Sequence, residues 1–268
     1  MSALLDAPVQ TVTAGDLRIG YREVGEGPPL LLIMGLGADG SLWEDHVVAL
    51  RSRFRCIAVD NRGAGASSKP EGPYTTAAMA DDHAAVMRAL RLDGAGVVGI
   101  SMGGAIAQEL ALRHPELVSR LVLVSSWARC DAYLRELLAN LAAVRAAAPS
   151  ETFVQLLQLW IWAPDAFAAR ADELAQARAI DPSIMVRVKP FAAQAAACAS
   201  HDALDRLGAI AAPALVTVGE LDVFTPVRFS QELADRIPGA ELRRFPGAGH
   251  VHHWEALDAF NDLLLGWL

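Results

Sequence analysis

The chain has 268 residues, enough for one large α/β domain or two small ones, with a sizeable core in either case. Apolar residues make up 53% of it, and 21 glycines and 14 prolines are ordinary usage, which excludes a disordered or fibrous chain. A net charge of −8 argues against nucleic acid or an anionic membrane surface as a partner, and three scattered cysteines (Cys56, Cys130, Cys198) without metal or redox spacing suit a reducing compartment. The first residues, MSALLDAPVQ, carry no basic region followed by an apolar core, and no apolar run reaches membrane-spanning length. A cytoplasmic protein is the expectation. Thr11 to Val24 reads as two short strands joined at Ala14-Gly15-Asp16. Pro29 to Met34 is a continuous apolar run, as expected of a strand buried on both faces of a parallel sheet. Ser41-Leu42-Trp43-Glu44 predicts a capping box opening a helix that runs to about Arg51. Arg55 to Asp60 is the next strand, followed by the glycine-rich turn Asn61 to Ser67 and a helix over Thr76 to Leu90.

The stretch Gly99-Ile100-Ser101-Met102-Gly103-Gly104 comes next, between the apolar run Gly96-Val97-Val98 and a helical segment, Ala105 to Arg113. Strand, Gly-x-Ser-x-Gly, helix is the context of a nucleophile elbow. The turn is so tight that side chains two positions either side of the serine would collide, hence glycine at 99 and 103. The serine then stands at a helix N-terminus, where backbone N–H groups favour the negative charge of an acyl-transfer intermediate.

Leu121 to Val124 is another buried strand, with Ser125-Ser126-Trp127 leaving it. The next strand, Ala214 to Val218, lies some ninety residues on, whereas a crossover helix needs about a dozen. The interval is alanine-rich and helical in pattern, with helices predicted over Asp131 to Ala147, Ser150 to Trp162, Pro164 to Ile180 and Ser183 to Ala199. Sheet elements resume afterwards, so it reads as a cap inserted at 128–205 into a core of 1–127 and 206–268. Asp222 lies just past Ala214–Val218; a last strand, Glu241 to Phe245, leads to Pro246-Gly247-Ala248-Gly249-His250, and a closing helix starts at about Glu255. Strand–helix alternation predicts a mostly parallel sheet with helices on both faces, and Leu36, Ser101, Asp222 and His250 all fall at its C-terminal strand ends.

Serine needs a base within hydrogen-bond reach, itself oriented by a third group. The order Ser101, Asp222, His250 is that of the α/β-hydrolases. GISMGG at the elbow, DNRGAGAS after the fourth strand, GELDVFTP after the seventh and FPGAGHVHHWE after the eighth together resemble that superfamily. They look most like its compact cap-bearing carboxylesterases and 3-oxoadipate enol-lactonases. The resemblance implies an eight-stranded α/β-hydrolase fold with Ser101 as nucleophile, His250 as general base and Asp222 as the acid that fixes the imidazole tautomer. It also implies an oxyanion hole from the backbone N–H groups of Leu36 and Met102; no nucleotide-binding motif is present in the sequence, and no cofactor is expected. One departure is visible: the family usually reads His-Gly-x-Gly after the third strand, where this chain has Met34-Gly35-Leu36-Gly37.

Other readings stand beside these. Glu220 is the alternative orienting acid. His250, His252 and His253 look like a metal cluster, but no further ligand stands at motif spacing and no metal is expected. Asp60-Asn61-Arg62-Gly63 lacks the ending of a P-loop and reads as a structural turn in which Arg62 bridges loops. Trp127, Phe153, Trp160 and Trp162 are the candidate pocket walls. With no basic cluster in the cap, a small, largely apolar ester or lactone suits better than a polyanion. The same triad serves C–C bond hydrolases, acyltransferases and lyases, and a slow-turnover ligand-binding receptor keeps it too. An epoxide hydrolase or haloalkane dehalogenase would carry aspartate at the elbow. The remaining expectation is a monomer or homodimer.

Overall fold

A computed structural model describes residues 2–179 and 185–268. Eight strands form one sheet: β1 (Gln10–Ala14), β2 (Leu17–Val24), β3 (Pro29–Ile33), β4 (Arg55–Val59), β5 (Ala95–Ile100), β6 (Val118–Val124), β7 (Ala214–Gly219) and β8 (Glu241–Phe245). Their order is β1-β2-β4-β3-β5-β6-β7-β8. The β1–β2 and β2–β4 pairings are antiparallel and the rest parallel. The expected period-free apolar runs sit where both faces are covered: Leu30, Leu31 and Leu32 have no exposed surface, each contributing about 1.5–3 kcal/mol of burial.

One face packs against α2 (Thr76–Ala89) and α3 (Met102–Arg113), through residues such as Leu31, Ile57, Met87 and Ile106. The other packs against α1 (Glu44–Leu50) and α11 (Leu257–Trp267), through Leu30, Leu32, Val47 and Phe260. Between β6 and β7 run α4 (Ala132–Ala147), α5 (Ser150–Ile161), α6 (Ala166–Ala169), α7 (Ala171–Arg178) and α8 (Val188–Ser200). After β7 come α9 (Val227–Arg236) and, after β8, the short α10 (His252–Glu255).

Several local expectations change. The capping box at Ser41 does not form. Gly40–Trp43 is a single 3₁₀ turn whose cap is Asp39, accepting from Ser41 N–H, while the Glu44 carboxylate accepts from the N–H groups of Ala3, Leu4 and Leu5. Glu44 thus pins the N-terminal segment to the core, and those three bonds hold its pKa below the usual range against the opposing effect of burial. The helix expected from Pro164 is broken at Arg170, whose φ of −126° and ψ of 32° is not helical. Its expected end at Ile180, and the start of the next at Ser183, lie outside the described residues. That next helix is regular from Val188, with Pro190 inside its first turn, where no N–H is required. The closing helix forms at Leu257–Trp267, close to its expected start, and the one-turn α10 precedes it across Ala256. Among the described residues no helix is long and apolar enough to cross a membrane.

Candidate active site

Ser101 sits between β5 and α3 with φ 55° and ψ −115°, a strained conformation for a residue with a side chain. The glycines around it answer to contact, not only to conformation. A Cβ on Gly99 would run into Gly103 O, and one on Gly103 into the Ile33 and Met34 carbonyls at the end of β3. A Cβ on Gly35 would meet Ser101 Cβ at 3.4 Å. The elbow and the loop after β3 therefore lie side by side. Among the described residues, the N–H groups of Leu36 and Met102 donate to no protein acceptor. Met102 is the first residue of α3, where an N–H has no partner within the helix.

Asp222 lies in the turn after β7 with its side chain fully buried. Its Oδ1 accepts from the N–H groups of Phe224 and Thr225, both at 2.8 Å. Its Oδ2 accepts from the Thr225 hydroxyl at 2.8 Å and from His250 Nδ1 at 2.9 Å. A carboxylate opposite Nδ1 assigns the proton to that nitrogen and leaves Nε2 with a lone pair. Glu220, the alternative acid, is exposed. The His250 backbone carbonyl accepts from Ser125 Oγ at 2.8 Å, and Ser126 Oγ donates to Ser101 O at 3.0 Å. Two consecutive residues at the end of β6 thus hold the backbones of the base and of the elbow serine. Ser101 and His250 expose 7% and 5% of their surface, so the group is covered rather than open.

The flanking histidines have other work. His252 bridges Ser125 Oγ (3.2 Å) and Thr217 Oγ1 (2.9 Å), and burial pushes its pKa down to about 3. His253 Nδ1 meets His46 Nε2 at 2.9 Å, and His46 Nδ1 donates to Asn261 Oδ1 at 2.7 Å. These are neutral, buried ties: His252 holds α10 to the ends of β6 and β7, while His253 and Asn261 hold the closing helices to α1. Arg62 donates to both Asp82 oxygens, at 2.6 and 2.7 Å, and ties the turn after β4 to α2.

Of the four candidate pocket residues, Phe153 packs edge-on against Phe191, with ring centroids 5.3 Å apart, and Trp127 edge-on against His201. Trp162 stacks on Trp254, with the Arg170 guanidinium over its ring. Trp160 is partly buried against the same core as Trp127. Phe224 packs on the His250 ring at 4.6 Å. A groove of about 450 Å³ gathers Lys69 with Arg187 and Lys189 of the helical insertion. Glu71 lines the same groove, so its charge is mixed, and Ser101, Asp222 and His250 do not line it.

Four contributors escape a sequence reading. Thr225 was visible only as part of the Asp222 pattern. Glu255 accepts from Gly249 N–H (2.5 Å) and Ala163 N–H (2.8 Å), clamping the turn before His250 to the end of α5. Asn61 donates to Met34 O at 2.9 Å. Gln194 of α8 reaches the loop after β3. Asn61 and Gln194 reach the loop after β3 over long sequence separations, and the motifs in which Asn61 and Glu255 stand do not disclose their partners Met34 and Ala163.

Comparisons with known proteins give the family. A family model described as alpha/beta hydrolase fold matches residues 28–257. "Putative carbamate hydrolase RutD" of Azorhizobium caulinodans is 32% identical over 260 residues, covering 94% of this chain and 96% of the relative. "Putative non-heme bromoperoxidase BpoC" of Mycobacterium tuberculosis is 34% identical over 266 residues, covering 93% and 97%. The crystal structure of the enol-lactonase from Burkholderia xenovorans LB400 superposes with a TM-score of 0.88 at 27% identity, covering 96% of this chain and 98% of that one. With the strained serine after β5, the acid after β7 and the histidine after β8 all in one sheet of this strand order, the chain belongs to the α/β-hydrolase family.

Proposed function

We propose that this protein is a serine hydrolase that cleaves a small, largely apolar carboxylic ester or lactone through an acyl-enzyme. The observation that carries the proposal is the His250–Asp222 pair, whose Nδ1 is committed to the carboxylate and whose backbone is tied through Ser125 and Ser126 to the elbow. In this reading Ser101 Oγ attacks the carbonyl carbon while His250 Nε2 takes its proton. The N–H groups of Leu36 and Met102 meet the oxyanion as it forms. Asp222 stabilises the resulting imidazolium without itself taking the proton. His250 returns the proton to the leaving alcohol, or to the other end of an opened lactone. It then activates water, which releases the acid and restores Ser101.

The apolar preference rests on the neighbours of the group: Phe224 on the His250 ring, and Phe191 against Gly37 beside Leu36. The enol-lactonase neighbour supports the lactone half of the reading, and the carbamate hydrolase relative adds a carbamate to the panel worth testing.

The test is a panel of p-nitrophenyl esters, lactones and carbamates of graded size, assayed with the wild type and Ser101→Ala, alongside labelling by a fluorophosphonate. The expected result is turnover of short esters or lactones, labelling at Ser101, and a loss of several orders of magnitude in Ser101→Ala. Retention of most activity without the serine would overturn the assignment.

A further inference from the structure

The loop after β3 reads Met34-Gly35-Leu36-Gly37, with no side chain of its own suited to hold it. Two glycines flank Leu36, and Gly37 lies at φ 76°; within the loop Ala38 N–H donates to Gly35 O at a long 3.4 Å, so the direction of the Leu36 N–H also depends on what fixes the neighbouring peptide planes. On the core side Asn61 fixes one, donating to Met34 O, with His83 Nε2 holding Asn61 Oδ1 at 2.9 Å. The plane beyond Leu36 is held from the helical insertion. Gln194 Oε1 accepts from Gly37 N–H at 3.1 Å, and Gln194 Nε2 donates to Arg62 O at 2.9 Å. Gln194 has no exposed surface. The Phe191 ring, one turn earlier on α8, lies where a Cβ on Gly37 would be.

We infer that Gln194 is a positioning residue for the oxyanion hole, setting the Leu36 N–H through the Gly37 peptide; this rests on the acyl-transfer reading above. The amide suits the task because its two ends differ. One backbone partner is a donor and the other an acceptor, so only the observed orientation satisfies both, and the buried side chain cannot rotate without losing both half-buried hydrogen bonds. A carboxylate would oppose the Arg62 carbonyl, and an aliphatic side chain would release Gly37. Because the oxyanion exists only in the transition state and the tetrahedral intermediate, the effect falls on kcat and not on KM.

Gln158 provides a matched control. It is a buried glutamine of the same insertion, with Nε2 on Leu174 O and Oε1 accepting from Arg178 Nε, so both of its side-chain partners lie inside the insertion. The experiment compares Gln194→Leu with Gln158→Leu. It measures kcat and KM for a p-nitrophenyl ester, the affinity of an arylboronic acid that forms a tetrahedral adduct with serine, the rate of fluorophosphonate labelling, and Tm. Removing an oxyanion donor outright costs about 10²–10³-fold, and misaligning one is expected to cost roughly 10–100-fold in kcat, with KM within about threefold. Boronate affinity and labelling rate should fall in parallel. Gln158→Leu should lower Tm comparably with kcat within about threefold. If the wild type turns over and the two variants have the same kcat and boronate affinity, Gln194 has no positioning role and the proposed function stands. A wild type that neither turns over the ester nor labels would overturn the acyl-transfer reading, and this inference with it.

Discussion

Replacing Asp222 by asparagine tests the arrangement of the site more sharply than removing it. The Asp222 carboxylate has two unlike ends: Oδ1 faces two backbone N–H donors, and Oδ2 faces the Thr225 hydroxyl and His250 Nδ1. In Asp222→Asn the new NH₂ must replace one of them. Turned toward Phe224 and Thr225, it opposes two N–H groups and leaves both without an acceptor, at about 1–3 kcal/mol for each desolvated donor. Turned toward His250, it donates to Nδ1 and places the imidazole proton on Nε2, the nitrogen that must accept from Ser101. The second arrangement wins, and the productive one is populated only at a penalty of about 2–6 kcal/mol. At 1.4 kcal/mol per decade that is a fall of roughly 10–10⁴ in kcat. The assay is kcat for a short p-nitrophenyl ester, with circular dichroism to show that the fold is kept. Glu220→Gln, at an exposed position, should stay within about twofold of the wild type. If Asp222→Asn keeps more than a tenth of wild-type kcat, or if Glu220→Gln is the damaging change, the assignment of the orienting acid fails.

Gly103→Ala should cost about 3 kcal/mol or more in urea unfolding, because its Cβ would run into the Ile33 carbonyl; a cost below about 0.5 kcal/mol would refute the packing of α3 on β3. Stability should fall between pH 7 and pH 5. Burial lowers the pKa of His46 and His201 to about 4 and of His83 and His252 to about 3, so below pH 6.5 the unfolded chain takes up protons that the folded chain refuses. Each contributes stability that is complete above about pH 6.5 and is lost as pH falls, amounting to roughly 2 kcal/mol per histidine by pH 5, and an unchanged urea midpoint over that range would contradict it. The thiols should be inert to a disulfide reagent at pH 8 in the native protein and all react in urea. Burial raises Cys56 to about 12 and Cys130 to about 11, and raises Cys198 further; prompt native labelling would show that these sites open.

The sheet and the elbow were legible because each is set by local chemistry. An apolar run without period specifies a strand buried on both faces, and β3 and β5 are such strands. A serine between glycines at a strand–helix junction specifies the strained turn, because only hydrogen fits at 99 and 103. Where two local signals competed, the reading failed. Ser41 and Glu44 have capping-box spacing, but the Glu44 carboxylate finds three N–H donors some forty residues away, a better outcome than one. Likewise, residues 164–178 have helical composition throughout, yet Arg170 leaves the helix and donates to the Trp254 and Glu255 carbonyls, which only the folded chain brings near.

The contacts between the insertion and the sheet domain were illegible for the same reason, and they decide how the site is held. Glu255 joins Gly249 to Ala163 at the end of α5, Val251 N–H donates to Ile161 O, and Gln194 joins Gly37 to Arg62 from α8. The turn carrying His250 and the loop carrying Leu36 are therefore each fastened to a different helix of the insertion. Displacing the insertion as a rigid lid would break half-buried hydrogen bonds at both attachments, at about 0.5–1.5 kcal/mol each. An opening confined to one attachment disturbs either the base or the oxyanion loop and spares the other. The helical insertion is thus part of the frame on which His250 and Leu36 are set, and, in the proposed function, substrate passage is expected to use movements of side chains or of one segment before it uses displacement of the whole.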